Sequence, residues 1–320
     1  MKRFAFYLCC LFAVSCTCGN ESVYQQHLIR IDEALERADE YVNMKQQKIS
    51  TIENMLNSRG VTPLQQYHIY RQLFIEYQPF QFDKAKETLE RQLVIAKQIA
   101  SDSLQHCTML DMAMLHTTAG FYLEADEIFA QIDTASLTLD QKVYWYDARQ
   151  KFLHDYQEYV TTSSIEVPDA SQITRYQDRI LEITSDDIPL NRHIRILRII
   201  ESRDFEKAYE ENMAFIASLD KTSRDYAVQT YWQGYICENL DRTEELIKWW
   251  TESALCDIQG AIKDNASLCS IAIKLTDPQD TDRAFKYISI SLDDALFYNA
   301  KLRKVQIAST LPWILKTYTD

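Results

Sequence analysis

The sequence predicts an all-α chain, a right-handed solenoid of stacked αα pairs led by a long N-terminal helix, and three observations carry that prediction. The first is a recurring phrase: an aromatic or polar residue, two residues, then a small or apolar one. It occurs as Phe82 to Ala85, Tyr122 to Ala125, Phe205 to Ala208, Thr243 to Leu246 and Thr281 to Ala284. The last residues of these phrases lie 40, 83, 38 and 38 positions apart, and 83 is close to two periods, so one degenerate unit fills the gap. A regular period of this size is the signature of a repeat array, in which each unit buries its apolar face against the next. The second observation is the scarcity of Gly (5) and Pro (6) in 320 residues, which disfavours the many tight turns of an all-β chain. The third is a seven-residue apolar repeat in the leading segment, a helical period and not that of a strand.

Taken in order, residues 1–15 read as an export leader. Lys2-Arg3 precede an apolar run from Phe4 to Val14 and then Ser15-Cys16; the run is about half a membrane span, the length of a signal-peptide core. Small Ala13 and Ser15 before Cys16 resemble a lipobox, which makes Cys16 the candidate lipidation site and a lipid the membrane anchor. Ordinary cleavage after the same small pair is the alternative. Either way the mature chain is expected to be exported, to a periplasm or cell envelope. Residues 16–22 then form a polar tether.

Residues 23–58 are expected to form one long helix. Leu28, Leu35, Val42, Ile49 and Leu56 recur every seven residues, Ile31, Ala38 and Ile52 fill the intermediate line, and Lys45 interrupts it. Such a seam either caps the first helical pair, as an array requires, or joins two copies of the chain as a homodimer. Ser58-Arg59-Gly60 supplies a glycine stop, and Pro63 opens the repeat domain of residues 61–320. Its helices are expected over Leu64 to Tyr77 with Asp83 to Ala100, then Asp102 to Thr118 with Tyr122 to Asp133. A helix dense in aromatics follows from Leu139. Residues 160–171, with a Thr-Thr-Ser-Ser run and Pro168, read as an irregular insertion on one face. Helix resumes over Ile173 to Thr184. Three more pairs are expected: Pro189 to Ser202 with Phe205 to Ile216, Asp225 to Leu240 with Glu244 to Asp257, and Gly260 to Leu275 with Asp282 to Asn299. A last helix runs from Ala300 to Tyr318.

The second pair shows the pattern most clearly. In the stretch from Ala119 to Phe129, Gly120 permits a sharp turn, Ala125 lets two helices approach, and Tyr122 and Phe129 fill the space between them. Ala113, twelve residues before Ala125, is the matching small residue of the first helix. This stretch is similar to the turn and second helix of a tetratricopeptide (TPR) unit, and Trp250 takes the filler position in a later one. First-helix residues of such arrays meet ligands on the concave surface. In this unit those are Leu110, Met114 and Thr117, with Cys107 beside them, a candidate groove for a protein or peptide ligand.

No chemistry-bearing constellation appears. His27, His68, His106, His116, His154 and His193 are scattered without metal-ligand spacing. GxSxG, P-loop and GxGxxG motifs are missing, and adjacent carboxylates such as Glu210-Glu211 do not face each other on a helix. The expectation is therefore a non-catalytic chain with no metal and no cofactor. A net charge of -13 without a basic cluster argues against nucleic acid as a partner of this chain. Beyond the leader edge, Cys107, Cys237, Cys256 and Cys269 stand singly, the pattern of buried thiols, although the last three fall on successive helices where one bridge could form. Aromatics make up 12% of the chain, with 19 Tyr; they either pack between helices or line a peptide or glycan groove.

Four stretches carry a wider resemblance: Arg37-Ala38-Asp39-Glu40-Tyr41-Val42, Phe74-Ile75-Glu76-Tyr77 followed by Phe80-Gln81-Phe82-Asp83, Ala119 to Ile132, and Ser291-Leu292-Asp293-Asp294-Ala295-Leu296-Phe297-Tyr298-Asn299-Ala300. Over Leu28 to Tyr318 the chain resembles a family of Gram-negative TPR-bearing regulators of unknown function. The resemblance implies an exported TPR sensor followed by a transmembrane helix, a cytoplasmic coiled coil and a DNA-binding helix-turn-helix. The sequence ends at Asp320, about where that membrane helix would begin. The resemblance therefore implies the sensor half, as a truncated reading, a partner acting through another protein, or a stand-alone envelope scaffold. A glycan-uptake lipoprotein of the starch-binding type, which also uses TPR units, is the alternative.

Overall fold

A computed structural model describes residues 23–161, 171–263, 266–275, 278–305, 307–308 and 312. The leader, Cys16, the tether and most of the expected 160–171 insertion lie outside the described residues, as does most of the expected last helix. Among those described, helices alone form the fold. Helices α1 (Val23–Glu36) and α2 (Ala38–Leu56) lead. Six pairs follow: α3 (Pro63–Tyr77) with α4 (Phe82–Gln98), α5 (Asp102–Ala119) with α6 (Tyr122–Ala130), α7 (Leu139–Thr161) with α8 (Ser171–Ile183), α9 (Pro189–Glu201) with α10 (Phe205–Ile216), α11 (Arg224–Asn239) with α12 (Thr243–Gln259), and α13 (Ser267–Lys274) with α14 (Thr281–Tyr298). This is an all-α, TPR-like solenoid.

The recurring phrase has one structural meaning. Phe82, Tyr122, Phe205, Thr243 and Thr281 are each the first residue of a second helix, and Ala85, Ala125, Ala208, Leu246 and Ala284 are buried where that helix meets its partner. The degenerate unit between them is α7 with α8. Local signals set the ends. Thr62 accepts from the Gln65 amide while the Gln65 side chain accepts from Thr62 N–H, a capping box with Pro63 at the first helical position. Ser101, Asp204 and Ser223 cap α5, α10 and α11. One turn recurs: Gly120, Arg203 and Asp241, each two residues before a second helix, have φ of 81°, 62° and 56°. In each, the next amide reaches back to a carbonyl of the preceding helix, Phe121 N to His116 O at 2.8 Å and Arg242 N to Cys237 O at 2.9 Å, a Schellman-type closure.

The expected single helix over residues 23–58 is two. Arg37 leaves helical geometry (φ -102°, ψ 7°) without a Gly or Pro, and the break lets each half follow a different neighbour: α2 packs on α3, whereas α1 packs on α12. The helix expected from Gly260 begins only at Ser267, because Gly260 and Ala261 form a turn, with Ala261 at φ 50°. The expected cap is also more than a cap. Leu28 and Ile31 of α1 are fully buried, Tyr287 of α14 donates to Leu28 O at 3.1 Å, and Asp32 pairs with Arg283 at 2.8 Å. Gln25 reaches the buried Asp280 at 3.1 Å, and Arg30 meets Glu252 at 2.7 Å.

The other end of α14 meets the first pairs: Tyr298 donates to Gln78 O at 2.8 Å, and Phe297 lies 5.4 Å from Phe80. The array thus closes on itself. One hydrophobic core contains Leu28, Ile52, Phe74 and Leu89 together with Trp249, Ile271 and Tyr287, whereas the middle units have smaller cores of their own. Of the seam residues, Leu28, Ile31, Ile49 and Ile52 are buried within the chain, whereas Leu35, Ala38, Val42 and Leu56 are half-buried. Lys45, the interruption in the seam, is answered by Glu76 at 3.0 Å; burial pushes the Glu76 carboxyl up, but hydrogen bonds from Lys48 and Lys45 hold it below its usual range.

Candidate interaction surface

The first helices of the pairs stand side by side and exchange polar contacts along one face. Tyr67 of α3 hydrogen-bonds Thr108 of α5 at 3.0 Å, and Arg71 of α3 pairs with Asp111 of α5. Tyr144 of α7 donates to the same Asp111 at 3.0 Å, and Gln141 donates to Ser103 O at 2.9 Å. The series resumes where the Gln229 amide of α11 meets His193 Nδ1 of α9 at 2.9 Å. These contacts, made largely by buried side chains, fix the lateral spacing of the first helices.

The candidate groove residues do not lie on that face. Leu110 and Thr117 are fully buried and Met114 is 8% exposed. α7 packs directly on α5 and covers them: Leu110 joins Tyr144 and Trp145, and Met114 sits with Ala148 and Phe152. The Thr117 hydroxyl is turned back to Ala113 O at 2.9 Å. Cys107 remains half-buried against Gln141 at 3.2 Å. The offset counted from one TPR unit gives positions that a more open array would leave bare, and tight lateral packing closes them here.

Exposed residues of these first helices include His154 and Glu158 of α7, Arg195 of α9 and Asp225 of α11. On α7, Tyr144, Asp147, Lys151, His154 and Glu158 recur at three- and four-residue spacing, one helical stripe. Lys151 meets Asp155 at 2.6 Å, and His154 stands 3.6 Å from the same carboxylate, which raises the His154 pKa. Asp147 is half-buried, and loss of water raises its pKa against a hydrogen bond from Gln150 and the charge of Lys151. Burial lowers the pKa of His193, opposed by its bond to Gln229 and the charge of Asp225. Nothing in the local sequence marks His193 or Gln229; only the packing of α9 on α11 brings them together.

The rest of the chemistry is structural. His116 is buried, edge-on to Phe82, with Nδ1 on Met112 O at 2.7 Å. Cys107, Cys237, Cys256 and Cys269 are free thiols, so the bridge left open by the sequence is not formed, and burial pushes Cys237 up to about 12 and Cys256 up to about 11. Most aromatics pack between helices, as Tyr122 does against Phe152 and Tyr156. Among the described residues no group of three His, Cys, Asp or Glu is arranged to hold a metal, and no helix is long and apolar enough to cross a membrane.

In comparisons with known proteins, the family model described as the SusR N-terminal TPR domain matches residues 35–309. No curated protein matches the chain.

Proposed function

From the premise that this chain belongs to the SusR N-terminal TPR domain family, we propose that it is the ligand-sensing module of an exported regulatory protein. TPR domains act through protein contacts, and this module takes a protein or peptide on the face built by its first helices. The observation that carries the reading is that face itself: side-chain hydrogen bonds join α3 to α5, α5 to α7 and α9 to α11, and His154 of α7 and Asp225 of α11 are exposed on these first helices. A photo-crosslinking residue at His154 or Asp225, both exposed, is expected to capture the partner in intact cells, whereas one at Glu87 or Glu210 on second helices is not. Capture from the second-helix positions alone removes the reading.

Export rests on the leader, and the mass of the mature N-terminal peptide tests it: a diacylglycerol-bearing Cys16 anchors the module to a membrane, an unmodified N-terminus after ordinary cleavage leaves a soluble envelope module, and an intact Met1 refutes export. The second reading, a glycan-uptake protein, draws on the half-buried Tyr231, Trp232 and Tyr235 of α11. Titration with oligosaccharides separates the two, since a glycan platform loses affinity when Trp232 is replaced by Ala, and no binding at millimolar sugar excludes it.

A further inference from the structure

The bend at Arg37 is not written in its residues. Leu35, Glu36, Arg37, Ala38 and Glu40 are strong helix formers, and the seven-residue apolar line runs through the joint from Leu28 to Leu35 and Val42 without a change of register. Arg37 nevertheless leaves helical geometry, and α2 starts with no side-chain cap, so the bend forgoes hydrogen bonds that a straight helix would make. A cavity of about 30 Å³ remains at the joint, lined by Leu35, Ala38 and Val42 together with Ala254, Ala261 and Ile290. What holds α1 against the array lies elsewhere. α1 packs on α12 and hardly touches α2, and its groove answers it group by group. Arg283 and Lys286 meet Asp32 at 2.8 and 3.2 Å, Glu252 meets Arg30 at 2.7 Å, and Tyr287 donates to Leu28 O. The groove is thus specific for an α1 helix, and nothing in those contacts requires that the helix belong to the same chain.

We propose that the groove between α12 and α14 is a docking site for α1 of a second copy, and that two chains exchange α1 reciprocally when α1 and α2 join into one straight helix. A straight helix over residues 23–56 is about 50 Å long, which carries α1 out of its own groove. The occupant is a second copy because every copy carries the helix that the groove fits. Each groove keeps the ion pairs and hydrogen bonds it makes in the closed chain, so the change is concentrated at the joint, which regains helical hydrogen bonds. Leu35, Ala38 and Val42, half-buried beside the cavity in the closed chain, then lie on one continuous apolar line where the two straight helices cover each other. An α1 tethered to its own groove competes at high effective concentration. The closed chain therefore prevails in dilute solution, and exchange is favoured where copies are concentrated or α1 is loosened. This inference does not depend on which ligand the first helices take.

The test is complementation by reversed charge. One chain carries Arg30→Glu and Asp32→Lys on α1, and the other carries Glu252→Arg and Lys286→Glu in the groove. Arg283 is kept in both, since it also pairs with the buried Asp280 at 3.1 Å. In either chain alone α1 meets like charge. In an exchanged pair both grooves are matched, one with reversed charges and one with the native ones. The two chains, unfolded in urea and refolded together at high concentration, are expected to form a heterodimer by native mass spectrometry that melts above either chain refolded alone. A single chain with all four substitutions, matched within itself, is expected to fold as a closed monomer in dilute solution. Arg37→Gly with Ala38→Gly in both partners penalises each straight helix twice and is expected to weaken the heterodimer about tenfold or more. Native chains of two isotopic masses, refolded together at high concentration, are expected to give mixed-mass dimers with the same sensitivity to the glycines. Separate monomers that melt as each does alone, native chains that never mix, or a dimer whose affinity the glycines leave unchanged overturns the proposal.

Discussion

Gly120, Arg203 and Asp241 occupy one left-handed position in three successive realisations of the same turn. Glycine adopts it freely, whereas a side chain there costs roughly 1 kcal/mol. Arg203→Gly is therefore expected to raise stability by about 0.5–1 kcal/mol in urea unfolding. Gly120→Ala is expected to lower it by about 2 kcal/mol or more, because its Cβ would also stand 2.8 Å from Leu302 N. A loss at position 203 or none at position 120 refutes the common geometry. The sequence made Gly120 legible as a turn and left the other two hidden, since Arg and Asp give no sign of positive φ.

His116 is a second residue whose role needed the fold. Burial lowers its pKa, so the native state keeps it neutral while the unfolded chain takes up a proton below about 6.5. Its contribution is present above that pH and is lost as pH falls, at up to about 1.4 kcal/mol per pH unit. Stability measured between pH 7 and pH 5 is expected to fall more steeply in the native chain than in His116→Phe; equal slopes show that the imidazole does not titrate with unfolding.

At the scale of elements, the break at Arg37 decides what the N-terminal segment does. Its seven-residue pattern was legible, and Leu28, Ile31, Ile49 and Ile52 are buried as that pattern requires. The pattern states that the helix has an apolar side but not what covers it. Here α2 is covered by α3, its neighbour in sequence, and α1 by α12 and α14, more than two hundred residues away. Leu28→Ala is expected to cost about 2–5 kcal/mol as a fully buried leucine. It should accelerate amide hydrogen exchange in α12 and α14 more than in α4. In an open array the disturbance would stay with the nearest unit, so acceleration confined to α3 and α4 contradicts the closure. The candidate groove failed for a related reason: the unit's own residues locate its first helix, and the next unit's α7 decides whether Leu110, Met114 and Thr117 stay open.

For the whole molecule, closure changes how the array should unfold. An open solenoid can lose its units one after another, because each touches only its neighbours. A core that joins Leu28 and Phe74 to Trp249 and Tyr287 couples the first units to the last. Urea transitions followed by Trp145 in the middle, with the other four tryptophans replaced, and by Trp249 at the closure are expected to coincide with the loss of helical signal. Transitions that separate, with the middle melting first, show that closure does not bind the smaller cores into the same cooperative unit. By itself the sequence determined the helical class, the period, the paired helices and the small residues at their contacts. These depend on spacing within some 40 residues, where side-chain size and periodicity act directly. Only the tertiary structure decided the break at Arg37, the meeting of α1 with α14, the burial of the expected groove and the contact of His193 with Gln229. Each of those depends on small rotations between successive units, which add up along the array and appear in no single unit's residues.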